Sequence, residues 1–112
     1  MSSYYPIFLD LKGRKCVVVG GGSVAERKTG MLLEHQASVT VISPTLSQGL
    51  QHLTEQGSIQ AIIRTYQAGD LEEAFLVIAA TDDPHINSAI ADQRGKKRAL
   101  VNVVDDPEIS DF

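Results

Sequence analysis

The stretch VVVGGGSVAERK, Val17 to Lys28, sets three consecutive glycines between a β-branched run and the start of a helical pattern. Glycine loses more conformational freedom on folding than other residues. Three in a row therefore mark a backbone that needs unusual dihedrals or a close approach by another group. The preceding run KCVVVG (15–20) reads as a short strand buried on both faces. The following run SVAERKTGMLLEH (23–35) reads as a helix with Val24, Ala25, Thr29, Leu32 and Leu33 on one side and Gly30 in its interior.

The alternation continues downstream. SVTVIS (38–43) is a second predicted strand, ended by Pro44, and LSQGLQHLTEQG (46–57) a helix carrying Leu46, Leu50 and Leu53, stopped by Gly57. SIQAIIRT (58–65) is a third strand; DLEEA (70–74) is a turn or short helix; FLVIAAT (75–81) is a fourth strand. PHINSAIADQRG (84–95) places Ile86, Ala89 and Ile90 on one helix side with Gly95 at its end, and ALVNVV (99–104) is a fifth strand. The leading PIFLDLKG (6–13) is expected as an edge strand or a hairpin-like lead-in. Strands separated by helices of this length pair in parallel. The expected fold is an α/β doubly wound parallel sheet with strand order 3-2-1-4-5.

Composition agrees with one soluble domain. The 112 residues are 43% hydrophobic and 21% charged, enough for a core with an ordinary solvated surface. A net charge of -4 argues against a nucleic-acid or anionic-membrane partner. No apolar run approaches the ~20 residues of a membrane span, and the opening MSSYYPIF lacks a signal-peptide pattern, so a cytoplasmic location is expected. Cys16 is the single cysteine and excludes an internal disulfide; its place in an apolar run reads as a small buried hydrophobe rather than a nucleophile.

In a doubly wound sheet, ligands lie beyond the carboxyl ends of the strands where the strand order reverses. The glycine turn follows the first strand at that point. Gly20, Gly22 and Ala25 fit the Rossmann fingerprint G-x-G-x-x-G/A. Gly20 would make the tight turn, Gly22 would admit a pyrophosphate to the backbone, and Ala25 would keep the helix close to the sheet. The free amides around Ser23 and Val24 would meet the phosphate charge. The end of the second strand, Ile42-Ser43-Pro44-Thr45, lacks the usual acid for the ribose, a task left to Ser43 or Thr45. No arginine stands there for a 2′-phosphate, which favours NAD over NADP.

The fourth and fifth strands both run into acids: Thr81-Asp82-Asp83-Pro84 and Val104-Asp105-Asp106-Pro107. Asp83 reads as a helix N-cap before a proline at the first helical position, and Asp106 as a turn former. Asp82 and Asp105 are candidates for acid–base work, for which partial burial and a neighbouring like charge would suit them. No histidine or cysteine accompanies them at ligand spacing, so no metal site is expected. His35, His52 and His85 read as surface residues, and Arg94 to Arg98 as a solvated basic loop at the amino end of the sheet.

Four stretches, PIFLDLKGRKCVVVGGGSVAERK, LLEHQASVTVISP, LVIAATDD and NVVDDPEISDF, closely resemble the N-terminal domain of the siroheme synthase family. The resemblance implies an NAD-dependent precorrin-2 dehydrogenase that forms sirohydrochlorin, with ferrous iron insertion in some members. It implies that Asp105 removes a proton as hydride passes to NAD. It also implies cofactor contacts at Ser23, Val24, Pro44 and Thr45, with Thr81 and Asp82 nearby. Family members continue past the position of Phe112 into a dimerisation segment and a helical domain, so the resemblance implies a cofactor domain of a longer, homodimeric protein. Two other readings fit the glycine turn: a nucleotide-sensing regulatory domain without chemistry, and a dehydrogenase acting on a different small acid. The first has no use for Asp105, and the second calls for a histidine–acid pair that no motif here identifies.

Overall fold

The valine run after Lys15 lies at the centre of a five-stranded parallel sheet. A computed structural model describes residues 3–94 and 98–112. Its elements are β1 (Lys15–Val19), α1 (Ser23–Glu34), β2 (Ser38–Ile42), α2 (Gln48–Glu55), β3 (Gln60–Ile62), β4 (Leu76–Ala79), α3 (Pro84–Asp92) and β5 (Leu100–Val103), closed by a 3-10 turn at Pro107–Ile109. The strand order is β3-β2-β1-β4-β5, the doubly wound order, with every pairing parallel.

Successive residues of β1 point to opposite faces and fill two separate cores. Cys16 and Val18 pack with Ala25 and Leu32 of α1 and Leu50 of α2. Val17 and Val19 pack on the other face with Ile90 of α3 and with Leu71 and Ala74 of the turn segment before β4. Each fully buried valine contributes about 1.5–3 kcal/mol relative to exposure. Burial also pushes the Cys16 thiol up to about 11, so Cys16 behaves as a core hydrophobe.

Several expected boundaries contract. Leu46 lies outside α2 because Ser47 caps the helix, its hydroxyl accepting the Leu50 amide at 3.2 Å. β3 pairs over three residues only, although Ile59 just before it is buried. The strands predicted at 75–81 and 99–104 are shorter at both ends. The segment 6–13 forms no strand; Leu11 is anchored in the core and Gly13 turns the chain, its amide donating to the Gln36 carbonyl at 2.9 Å. The helix expected over 84–95 stops earlier, at Asp92, where Gln93 caps it and its amide donates back to the Ala89 and Ile90 carbonyls; Gly95, with Lys96 and Lys97 of the basic run, lies outside the described residues. Arg94 corrects the solvated-loop reading, because its guanidinium pairs with Asp111 at 2.5 Å. Asp111 also accepts the Val101 amide at 2.9 Å, so the residues after β5 fold back and cover its free edge.

Candidate functional site

Register sets the geometry of the site. Val19 aligns with Ile42 and Ala79, and Ala79 aligns with Val103, so four strands end on one level. The turns that follow them surround a crevice of about 720 Å³ at the carboxyl edge of the sheet. Its lining includes Gly20, Gly22, Ser23, Val24, Ser43, Pro44, Thr45, Thr81, Asp82 and Asp105, so every candidate residue read from the sequence reaches one cavity. One strand, β4, separates β1 from β5, which sets the glycine turn and the Asp105 turn about 10 Å apart across the sheet.

Each glycine of the turn has its own reason. Gly20 has φ 133°, a conformation L-residues rarely adopt, and a β-carbon there would collide with the Ala80 carbonyl. A β-carbon at Gly21 would overlap the Thr45 carbonyl and press on the Ser43 side chain. This position is unspecified in the fingerprint, and its necessity is visible only once the loop after β2 is in place. At Gly22 a β-carbon would meet no protein atom; it would enter open space beside the crevice. Gly22 is the N-cap of α1 and offers no side-chain cap, which leaves first-turn amides free for an anion. Ala25 is fully buried, holding α1 against the sheet. An open cradle over uncapped amides fits a dinucleotide diphosphate.

The other walls come from loops tied by side chains. The Thr81 hydroxyl donates to Asn87 Oδ1 at 2.7 Å, and Asn87 Nδ2 donates to the Thr81 carbonyl at 3.2 Å. Asn87 thus fixes the turn after β4 from the first turns of α3. No spacing rule points to it. Asp83 caps α3, its carboxylate accepting the His85 amide at 2.8 Å. Thr65 and Tyr66 also line the crevice, and their loop is closed by a forked ion pair from Arg64 to Asp70 at 2.8 and 2.9 Å. The Arg64 guanidinium holds the Asp70 carboxyl below its ordinary range. Ser43 is buried beneath Gly21, whereas Pro44 and Thr45 are exposed.

Asp105 occupies the third position of a turn in which the Asp106 amide donates to the Val103 carbonyl at 3.0 Å. Its φ is 64°, in the left-handed region that aspartate tolerates better than most residues. The partial burial that would suit Asp82 and Asp105 for acid–base work is not found: both are exposed, because each sits on a turn beyond its strand. Among the residues lining the crevice, Asp82, Asp83 and Asp105 are charged and no lysine or arginine appears. His35, His52 and His85 are exposed. No helix among the described residues is long and apolar enough to cross a membrane.

A parallel sheet in this order, with a glycine turn and an uncapped helix at its switch point, defines a dinucleotide-binding domain of the Rossmann type. The chain belongs to the NAD(P)-binding family whose model, described as "Putative NAD(P)-binding", matches residues 7–112. It is 47% identical over 103 residues to siroheme synthase 1 of Serratia proteamaculans, covering 92% of this chain and 22% of that protein. It is 44% identical over 109 residues to the siroheme synthase of Photobacterium profundum, covering 97% of this chain and 23% of that protein. The chain thus spans less than a quarter of the length of these relatives. Among solved structures it is similar to SirC, precorrin-2 dehydrogenase, with a TM-score of 0.81 and 33% identity over 90% of this chain and 49% of that one. Apo D-lactate dehydrogenase from Escherichia coli shares the fold, with a TM-score of 0.66 at 15% identity.

Proposed function

We propose that this chain is the dinucleotide domain of an NAD-dependent dehydrogenase that converts precorrin-2 to sirohydrochlorin in siroheme biosynthesis, in the cytoplasm and as part of a longer homodimeric protein. The observation that carries the reading is the single crevice shared by the uncapped α1 amides and Asp105. A purely sensing domain would use the amides and leave the acid idle. The names of the relatives and of the solved dehydrogenase supply the substrate class.

In this reading Gly22, Ser23 and Val24 hold the diphosphate through backbone amides, and Thr45 with the loop after β2 holds the adenosine ribose. The absence of any lysine or arginine in the crevice lining favours NAD over its 2′-phosphorylated form. Bound there, NAD supplies the acceptor for the hydride that leaves the macrocycle. Asp105 takes the accompanying proton and passes it to water, so two electrons and one proton reach the nicotinamide and one proton reaches solvent. Because Asp105 is exposed, water leaves it only when a macrocycle covers the crevice mouth. In members that insert ferrous iron, the same carboxylate would accept the pyrrole protons that the metal displaces. NADH formation from precorrin-2 by the complete polypeptide tests the reading; bound NAD with no NADH produced would overturn it.

A further inference from the structure

The dinucleotide crevice presents three aspartates and no cation, whereas the substrate proposed above carries several carboxylates. Its counterions must lie elsewhere. A smaller cleft of about 230 Å³ opens beside the crevice, and Val104 and Asp105 line both, so the turn after β5 is the wall between them. Across this cleft from the turn stand Arg27 and Lys28 of α1. They follow Ser23 and Val24 by four residues each, so one side of α1 runs from the crevice into the cleft.

Neither cation is committed. Among the described residues, Arg64 pairs with Asp70 and Arg94 with Asp111, but the side chains of Arg27 and Lys28 make no ion pair or hydrogen bond. Asp105 and Asp106 line the same cleft without closing an ion pair with them. Lys28 is half-buried, and Arg27 beside it is exposed.

We infer that this cleft receives one carboxylate-bearing arm of the macrocyclic substrate, with Arg27 and Lys28 as its counterions and Asp105 at the boundary between arm and ring. The inference rests on the dehydrogenase reading and names the part of the site that binds substrate rather than cofactor. An arginine can engage a carboxylate through two parallel hydrogen bonds while the lysine adds a point charge.

The test uses the complete polypeptide with both residues replaced, R27Q together with K28Q, beside the charge-preserving pair R27K with K28R. Loss of two charge-assisted contacts is expected to raise KM for precorrin-2 at least ~10-fold, with NAD affinity within about 2-fold of wild type. The salt dependence of KM should flatten in the glutamine variant, and the charge-preserving variant should recover most of the affinity. An unchanged KM in the glutamine variant would overturn the assignment while leaving the dehydrogenase reading intact. A parallel loss of NAD affinity would also overturn it, by giving the cations to the diphosphate. Wild-type protein that binds NAD yet makes no NADH from precorrin-2 would instead remove the reading beneath it.

Discussion

Gly21 lies so close to Thr45 that a β-carbon on the glycine would overlap the Thr45 carbonyl oxygen, and the Gly21 carbonyl accepts the Ser47 amide at 2.8 Å. The glycine turn is therefore clamped from above by the loop after β2, while Gly22 beside it faces open space. Neighbouring glycines should respond oppositely to alanine. G21A is expected to destabilise the fold by about 1–3 kcal/mol through overpacking. G22A should leave stability within about 0.5 kcal/mol, since surface positions tolerate change, but weaken NAD binding at least tenfold. Thermal unfolding and calorimetric NAD titration on both variants check this. Equal loss of stability would contradict the assignment.

At Asp105 charge and backbone can be separated. D105A removes the carboxylate but places alanine at positive φ, which costs about 1–2 kcal/mol of backbone strain. D105N removes the charge and keeps a residue suited to that conformation. In the complete polypeptide D105N should lower NADH formation at least ~100-fold, the usual scale of a general base, while NAD binding persists. Retained activity in D105N would assign the base to another residue.

The Arg64–Asp70 pair makes a pH-dependent prediction. The Asp70 carboxyl is held below its ordinary 3.8 chiefly by its hydrogen bonds from Arg64. Its contribution is fully present above the unfolded value and disappears as pH falls through the lowered folded value. D70N should melt below wild type at neutral pH, and the gap should close as pH is lowered past that range. Because this pair closes the loop carrying Thr65 and Tyr66, D70N should also weaken NAD binding. A melting gap independent of pH would contradict the account.

Thr29 is completely buried on α1 with no partner for its hydroxyl among the described residues. T29V keeps the β-branched shape and removes an unsatisfied polar atom. It should be neutral or stabilising by about 1 kcal/mol by chemical denaturation. A clear destabilisation would reveal a partner for that oxygen.

The sheet order was legible because strands and helices alternate and the valine runs are too apolar for an exposed face. The glycine turn was legible because its spacing has a mechanical meaning. Element ends were harder to read. Leu46, Leu50 and Leu53 share helical spacing, yet the Ser47 cap starts α2 after Leu46. Ile62 and Ile63 extend an apolar run, but at a sheet edge only three residues find a partner. The exposure and left-handed backbone of Asp105 are consequences of a turn set by β4 and β5 together. Asn87, and Arg27 with Lys28 facing that turn, were invisible for a related reason: their meaning comes from neighbours far along the chain.

A crystal structure with NAD bound is the most direct test of where cofactor and base meet. It should show diphosphate oxygens within hydrogen-bond reach of the Ser23 and Val24 amides and the nicotinamide ring directed toward Asp105. A dinucleotide bound away from the opening of α1, or with its nicotinamide turned toward β3, would contradict that arrangement.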